Sequence, residues 1–393
     1  MLFNSKNFFF IFVLALVVRI SYIALVPPRP LNLDDSFQWN NTALHFLHGN
    51  GFLTQTENLD PKRPPFYPLF LTANYALFGE ENFKAVKISQ AIFGSLTCVG
   101  IYEAASLLIS PPAALGAGIL AALYPPLIVY CEILQSETLF TFLLIFFVLF
   151  WILAIQRTRW IYFLSAGFFL GLLNLCRGTL VFFPFFMLAI PIFFEQERKK
   201  WRRYLALIAV SFFVLSPWTW RNFKVYDAFI PSAGGGPESF WAGTLPIDRQ
   251  QHYGDFPEFK NLNFPPTVKG VESLFTAEAV SNIKKNPKAY GIITFQKLCF
   301  FIAKPIGQEL VSKRSHFWAQ ALTAFHFMIL ILLVKGVVLL RLKKIEFSIL
   351  YCVIIYFALL HILTNPMPRY RLPIEALFLI FASAALFSKK NQN

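Results

Sequence analysis

Two adjacent carboxylates, Asp34 and Asp35, follow the first long apolar run of the chain by about eight residues, behind the stiff stretch VPPRP. Like charges side by side repel, so one of the pair is pushed toward the working range of a general base, or both hold a cation between them. The same residues also suit a helix start, because LDDSFQWNNTALHFL offers an N-cap ahead of Ser36. Both readings stand at this stage, and too few further ligands are evident to predict a divalent cation there.

Other ionisable residues lie where apolar runs end. Arg63, in PKRPPFYPLF, is locked by two prolines just before an apolar segment, where a guanidinium can grip a lipid phosphate or simply be solvated. Glu137, in YCEILQSETLFTF, opens an apolar run, where it meets the positive end of a helix dipole and either caps the helix or serves chemistry. Arg177, in NLCRGTLVFFP, falls on a turn too short to carry it into bulk water. Arg369 and Arg371 flank Tyr370 in NPMPRYRLP and repeat that anomaly at the last outer turn. Snorkelling to headgroups explains any one of these arginines, but positive charge on a translocated side also calls for an anionic partner. Arg19, roughly 10 Å inside the first apolar run at 1.5 Å per residue, either snorkels or pairs with a carboxylate. His361 reads as a packing histidine, and His45 and His48 as loop residues.

The elements that must position these residues follow from composition. Of 393 residues, 56% are hydrophobic and only 14% charged, with 47 Phe, which excludes an ordinary soluble domain or a disordered chain. Apolar runs near 8–26, 88–109, 113–130, 138–156, 161–176, 179–194, 204–220, 317–340, 346–364 and 372–388 predict an all-α multi-pass membrane protein of about ten transmembrane helices. The net charge of +14 does not point to nucleic acid, because no basic stripe carries interleaved aromatics. The basic residues sit instead in short breaks: Arg157 and Arg159, the cluster from Arg198 to Arg203, Arg341 with Lys343 and Lys344, and Lys389 with Lys390. An N-terminus inside places every cluster on the cytoplasmic side, as the positive-inside rule requires. The five cysteines are scattered, without metal spacing, and read as core residues.

Two long segments then face outward, 27–87 and 221–316, and both suit loops with short interfacial helices. Residues 277–302 are expected to form one such helix. Counting them as a span would put Arg341 to Lys344 outside. The glycines Gly234, Gly235 and Gly236 either bring backbone N–H groups to a sugar or phosphate or make a flexible turn. All the anomalous carboxylates and arginines gather at the outer face, the arrangement of an enzyme that binds a lipid phosphate and does acid–base chemistry at its head. No paired discontinuous helices at the midplane suggest a transporter.

The runs DDSFQWNNTALHFLHGNGF, KRPPFYPLFLTANYALFG, ALYPPLIVYCEILQSETLFTFLL, GLLNLCRGTLVFFP, SPWTWRNFKVYDAFIPSAGGG and PRYRLP, in this order along nearly the whole chain, resemble bacterial membrane glycosyltransferases of the protein-mannosyltransferase superfamily. These are type C glycosyltransferases, and they include the aminoarabinose and galacturonic acid transferases of lipopolysaccharide. The resemblance implies a single transmembrane glycosyltransferase domain over residues 1–393 in the inner membrane, with both termini cytoplasmic and the active site facing the periplasm. It implies inverting transfer of a sugar from a polyprenyl-phosphate carrier to an envelope glycolipid, glycan or protein acceptor.

It also implies roles. Asp34 or Asp35 is the catalytic acid residue of the first outer loop and Glu137 the second acidic residue. Arg63, Arg177, Arg369 and Tyr370 match the positions that contact carrier phosphate or close the motif set. Two departures stand out. Lys62 occupies a position where some relatives carry a carboxylate, and the soluble C-terminal domain of several relatives is not expected, so acceptor recognition falls to the loop 221–316. A lipid-linked sugar flippase, or an oligosaccharide polymerase or ligase, is the alternative reading of the same residues.

Overall fold

The computed structural model describes residues 5–27, 35–52, 61–250, 254, 257–260, 262–307, 316–340 and 345–387. Asp34, the basic residues at 341–344 and the C-terminal lysines lie outside them. The described chain is helical throughout, and seven of its helices are long and apolar enough to cross a membrane. It is an all-α multi-pass membrane protein.

The first helix, α1 (Ser5–Leu25), is followed by two shorter ones, α2 (Ser36–Leu47) and α3 (Phe66–Phe78). Gly79, at φ +101°, ends α3 in a conformation that costs glycine little. Helix α4 (Phe83–Leu108) starts where the Asn82 side chain accepts from the Ala85 N–H, and α5 (Pro111–Leu123) starts on prolines whose missing N–H is no loss in a first turn. Pro125 and Pro126 stop α5 and open the short α6 (Pro125–Val129), so the run read as 113–130 is a helix, a break and a single turn. Helices α7 (Glu137–Arg157) and α8 (Trp160–Cys176) form a hairpin through Thr158.

The run 179–194 is not one helix either. It holds α9 (Phe183–Met187) and α10 (Ala189–Phe193), because Pro191 cannot donate to the Met187 carbonyl. After α11 (Glu195–Arg198), α12 (Trp201–Tyr226) continues past the expected end at 220. It lies so close to α8 that a Cβ at Gly167 would collide with the Leu207 carbonyl.

The segment after α12 carries α13 (Gly236–Ala242), α14 (Pro257–Lys260), α15 (Val268–Lys285) and α16 (Pro287–Ala303). The single helix expected over 277–302 is two. Pro287 ends the N–H ladder, and Asn286 caps the new start by accepting from the Ala289 N–H at 3.0 Å. A small core of Trp241, Ala242, Leu245, Phe275 and Ala279 holds α13 against α15. The chain returns to the membrane through α17 (His316–Leu340), α18 (Ile345–Leu363) and α19 (Leu372–Phe387).

Burial sorts these spans. In α7 and α19, 83% of the apolar window is buried, against 17% in α1 and α17, so α7 and α19 form the interior of the bundle and the other two its lipid-facing margin. One end of the bundle is basic. There Lys200 donates to the Ile155 carbonyl at 3.0 Å, Gln156 to the Leu107 carbonyl at 3.1 Å and to Glu346 at 3.2 Å, and Asn7 to the Tyr102 hydroxyl at 3.2 Å. The first residue of α7 and the last of α8 lie at the opposite end, where the predicted site residues gather.

Arg19 neither snorkels nor meets a carboxylate. It is fully buried and donates to the carbonyls of Ala15 and Ala122, at 3.1 and 3.2 Å, and to Cys98 Sγ at 3.2 Å. Because α5 breaks beside it, the last carbonyls of that helix are free to accept.

Candidate active site

Asp35 occupies the N-cap position of α2, yet its side chain makes no capping bond. Its Oδ2 instead accepts from Arg369 Nη2 at 2.7 Å, so the carboxylate is engaged by a guanidinium and not by the helix end. Glu137 likewise opens α7 without a cap from Ser136. Its carboxylate, 3% exposed, accepts from Arg177 Nη1 at 2.8 Å, and Arg369 Nε stands 3.9 Å away, beyond hydrogen-bond reach. Asp35, Arg369, Glu137 and Arg177 therefore form one alternating chain of charges.

Each member is positioned by a different element. The turn before Glu137 is held by Gln90 of α4, which donates to the carbonyls of Cys131 and Ile133 at 3.0 and 2.9 Å and accepts from Tyr67 of α3 at 2.9 Å. Thr138 closes the turn by donating to the Tyr130 carbonyl at 2.9 Å. Arg177 leaves α8 with extended backbone, φ −152° and ψ 132°, which turns its guanidinium inward.

Arg369 is placed by its neighbour two positions on. Arg371 does not share the surroundings of Arg369. It is 2% exposed, bonds Glu375 at 2.6 Å, and donates to the carbonyls of Ile302 and Lys304 at 3.1 and 2.9 Å. A 3₁₀ turn spans Pro368–Arg371. At about 120° per residue, pinning Arg371 inward sends Arg369 to another face.

Tyr370 sits between the two arginines. Its ring lies 4.9 Å from the Arg177 guanidinium and 5.4 Å from that of Arg369, and it stacks on His361 at 5.0 Å. His361 is thus a packing residue, buried among Phe301, Phe357 and Tyr370. Arg63 lies over Trp39 of α2 at 5.4 Å. Burial by itself would raise the Asp35 carboxyl, but Arg369, with added pull from Arg63 and Arg177, holds it below the usual carboxylate range.

The structure thus brings Asp35, Glu137, Arg177, Arg369 and Tyr370 together, with Arg63 on the adjoining segment. Among the described residues no three of His, Cys, Asp and Glu converge as a metal group, and the paired-carboxylate cation site depends on Asp34, which lies outside them. The glycine run is not an open anion cradle, because the Gly234 N–H already donates to the Pro61 carbonyl at 2.6 Å. Sequence reasoning missed the partner of Lys62, which is Glu238 at 2.5 Å, and the ion pair of Lys87 with Glu132 at 2.7 Å. No local signal joins residues so far apart.

The family model for dolichyl-phosphate-mannose-protein mannosyltransferase matches residues 62–220. No curated protein sequence matches the chain. The archaeal oligosaccharyltransferase AglB from Archaeoglobus fulgidus, solved in complex with an inhibitory peptide and a dolichol-phosphate, is 14% identical with a TM-score of 0.60; the match covers 97% of this chain and 50% of that one. The same archaeal enzyme tethered to an acceptor peptide gives 15% identity and a TM-score of 0.60 over 98% and 50%. ArnT from Cupriavidus metallidurans, bound to undecaprenyl phosphate, is 16% identical with a TM-score of 0.48 over 98% and 79%. The chain spans half the length of the archaeal enzyme, and at these identities the likeness is one of fold. This chain therefore shares the membrane-helical fold of the archaeal oligosaccharyltransferase and matches the protein-mannosyltransferase family model over residues 62–220.

Proposed function

We propose that the protein is an inverting glycosyltransferase that moves a single sugar from a polyprenyl-phosphate carrier to an acceptor hydroxyl at the outer face of a bacterial inner membrane. Lipopolysaccharide, another envelope glycan or a protein is the acceptor. The observation that carries this reading is Arg369. It joins the two carboxylates of the site, yet its buried Nε–H has no hydrogen-bond partner. A buried guanidinium donor without an acceptor is costly, and a phosphate oxygen is the acceptor that suits the planar guanidinium fork.

In this reading the carrier phosphate lies against Arg369, Arg177 and Arg63. These cations stabilise the negative charge that grows on the phosphate oxygen as its bond to the anomeric carbon breaks. The ionised Asp35 takes the proton from the acceptor hydroxyl while the acceptor oxygen forms the new bond to that carbon from the opposite face. Asp35 alone is a weak base because the arginines hold its proton affinity down. Phosphate on the same arginines neutralises part of that charge and restores its basicity. Glu137 orients Arg177 and Arg369.

Mass spectrometry of envelope glycolipids and glycoproteins from a strain lacking the protein tests the reading. Loss of one sugar-sized increment, restored by the wild type but not by Asp35→Asn, is the expected result. Loss of a block of sugars would point to an oligosaccharide polymerase or ligase. Restoration by Asp35→Asn would favour a flippase, for which no bond is broken.

A further inference from the structure

We infer that residues 232–238 of the second outer loop form a strap that fixes the spacing of the two arginine-bearing turns, and that Lys62 and Glu238 are positioning residues for the carrier phosphate. The inference rests on the carrier-phosphate reading above. At one end the strap meets the turn of Arg177: the Ser232 hydroxyl donates to the Asn174 carbonyl, and a Cβ on Gly178 would come within 3.1 Å of the Ser232 oxygen and 3.3 Å of the Ala233 backbone. At the other end it meets the turn of Arg63: the Gly234 N–H donates to the Pro61 carbonyl at 2.6 Å, and Lys62 pairs with Glu238 at 2.5 Å.

Between these ends the strap is itself held. Gly235, at φ +80°, takes the stem of Lys62 against its backbone, where a Cβ would lie 3.2 Å from Lys62 Cγ, and a Cβ on Gly234 would lie 3.3 Å from Glu272 Oε1 of α15. Trp218 and Asn222 of α12 donate to the Ser232 and Ile230 carbonyls at 2.7 and 3.0 Å. The residues around Arg63 have no regular secondary structure until α3 begins at Phe66, so their position is set by such non-local bonds. A guanidinium fork gains its advantage over a simple charge only when its angle to the phosphate is fixed.

The ion pair is more than surface decoration. The Lys62 side chain is 54% exposed, but that of Glu238 is only 10% exposed, so removing the ammonium takes a counter-charge from a largely desolvated carboxylate. The lysine that stands where some relatives carry an acidic residue thus has its counter-charge supplied by the second loop.

Equilibrium binding of undecaprenyl phosphate to the full-length protein in detergent tests the proposal, with wild type, Arg63→Ala, Lys62→Met and the exchanged pair Lys62→Glu with Glu238→Lys. Lys62→Met is expected to raise Kd by about tenfold, the worth of one charge-assisted hydrogen bond, and the exchanged pair to bring it back within about threefold of wild type. Lys62 is exposed enough that Lys62→Met will fold. Binding by Lys62→Met equal to wild type, with Arg63→Ala weakened, overturns the strap and leaves the carrier reading intact. An exchanged pair no better than Lys62→Met also overturns it, because Lys62 then touches the phosphate directly. Arg63→Ala binding like wild type brings down the carrier role of Arg63 and the strap with it.

Discussion

Arg369 Nη2 donates to Asp35 Oδ2 at 2.7 Å across 334 positions of sequence, joining the turn before the last helix to the start of α2. The bond sets the protonation state of the carboxylate and removes it from helix capping. Asp35→Asn keeps the shape and the hydrogen bond but cannot take a proton. It is expected to lower kcat by about 10²- to 10⁴-fold with little loss of donor binding, measured in a sugar-transfer assay with purified protein.

The pH profile carries a second expectation. Asp35 is held below its ordinary value of 3.8, and kcat/KM reports the free enzyme. The carboxylate is the active form, so kcat/KM should stay level as pH falls toward the usual carboxylate range and drop only below it. Arg369→Gln removes the largest lowering influence, and the acid limb should move to higher pH. A limb that stays in place would separate Asp35 from the rate.

Glu137 and Arg177 form a mostly buried ion pair. Glu137→Ala should cost on the order of 3 kcal/mol in thermal unfolding, because it leaves a guanidinium without its counter-charge. Combining it with Arg177→Ala should cost less than the two single losses together. Strict additivity would mean that the pair is not coupled.

Lys297 of α16 is fully buried and donates to the carbonyls of Gly243 and Thr364 at 2.8 and 3.3 Å. Burial depresses its pKa from 10.5 to about 8. The folded protein therefore binds fewer protons than the unfolded one between those values, and stability rises with pH across that window. The midpoint of thermal unfolding should increase from pH 8 toward pH 10.5 in the wild type. Lys297→Met should abolish the increase.

Much of this architecture was legible because the bilayer makes apolar runs and misplaced charges conspicuous. Among the described residues the ten runs fall mainly on helix, and Asp35, Glu137, Arg177 and Arg369 stood out because a charge at a membrane margin needs a partner. Prolines blurred the boundaries: Pro125, Pro191 and Pro287 each divide a run that composition alone makes continuous. Arg369 and Arg371 share the same motif and the same hydropathy, and only the 3₁₀ turn separates a site residue from a structural one. Arg19 was ambiguous because its partners are carbonyls and a thiol, which no charge pattern announces. Lys62 and Glu238 meet through tertiary folding alone.

The most direct measurement is to incubate the purified full-length protein in detergent with a lipid extract from cells that lack it, and to follow the sugar-bearing polyprenyl phosphate by mass spectrometry. The account predicts that wild type converts the loaded carrier to free polyprenyl phosphate in the presence of acceptor, and that Asp35→Asn and Arg369→Ala leave it loaded. Conversion by Asp35→Asn at the wild-type rate, or no conversion by wild type when both lipid and acceptor are present, would contradict it.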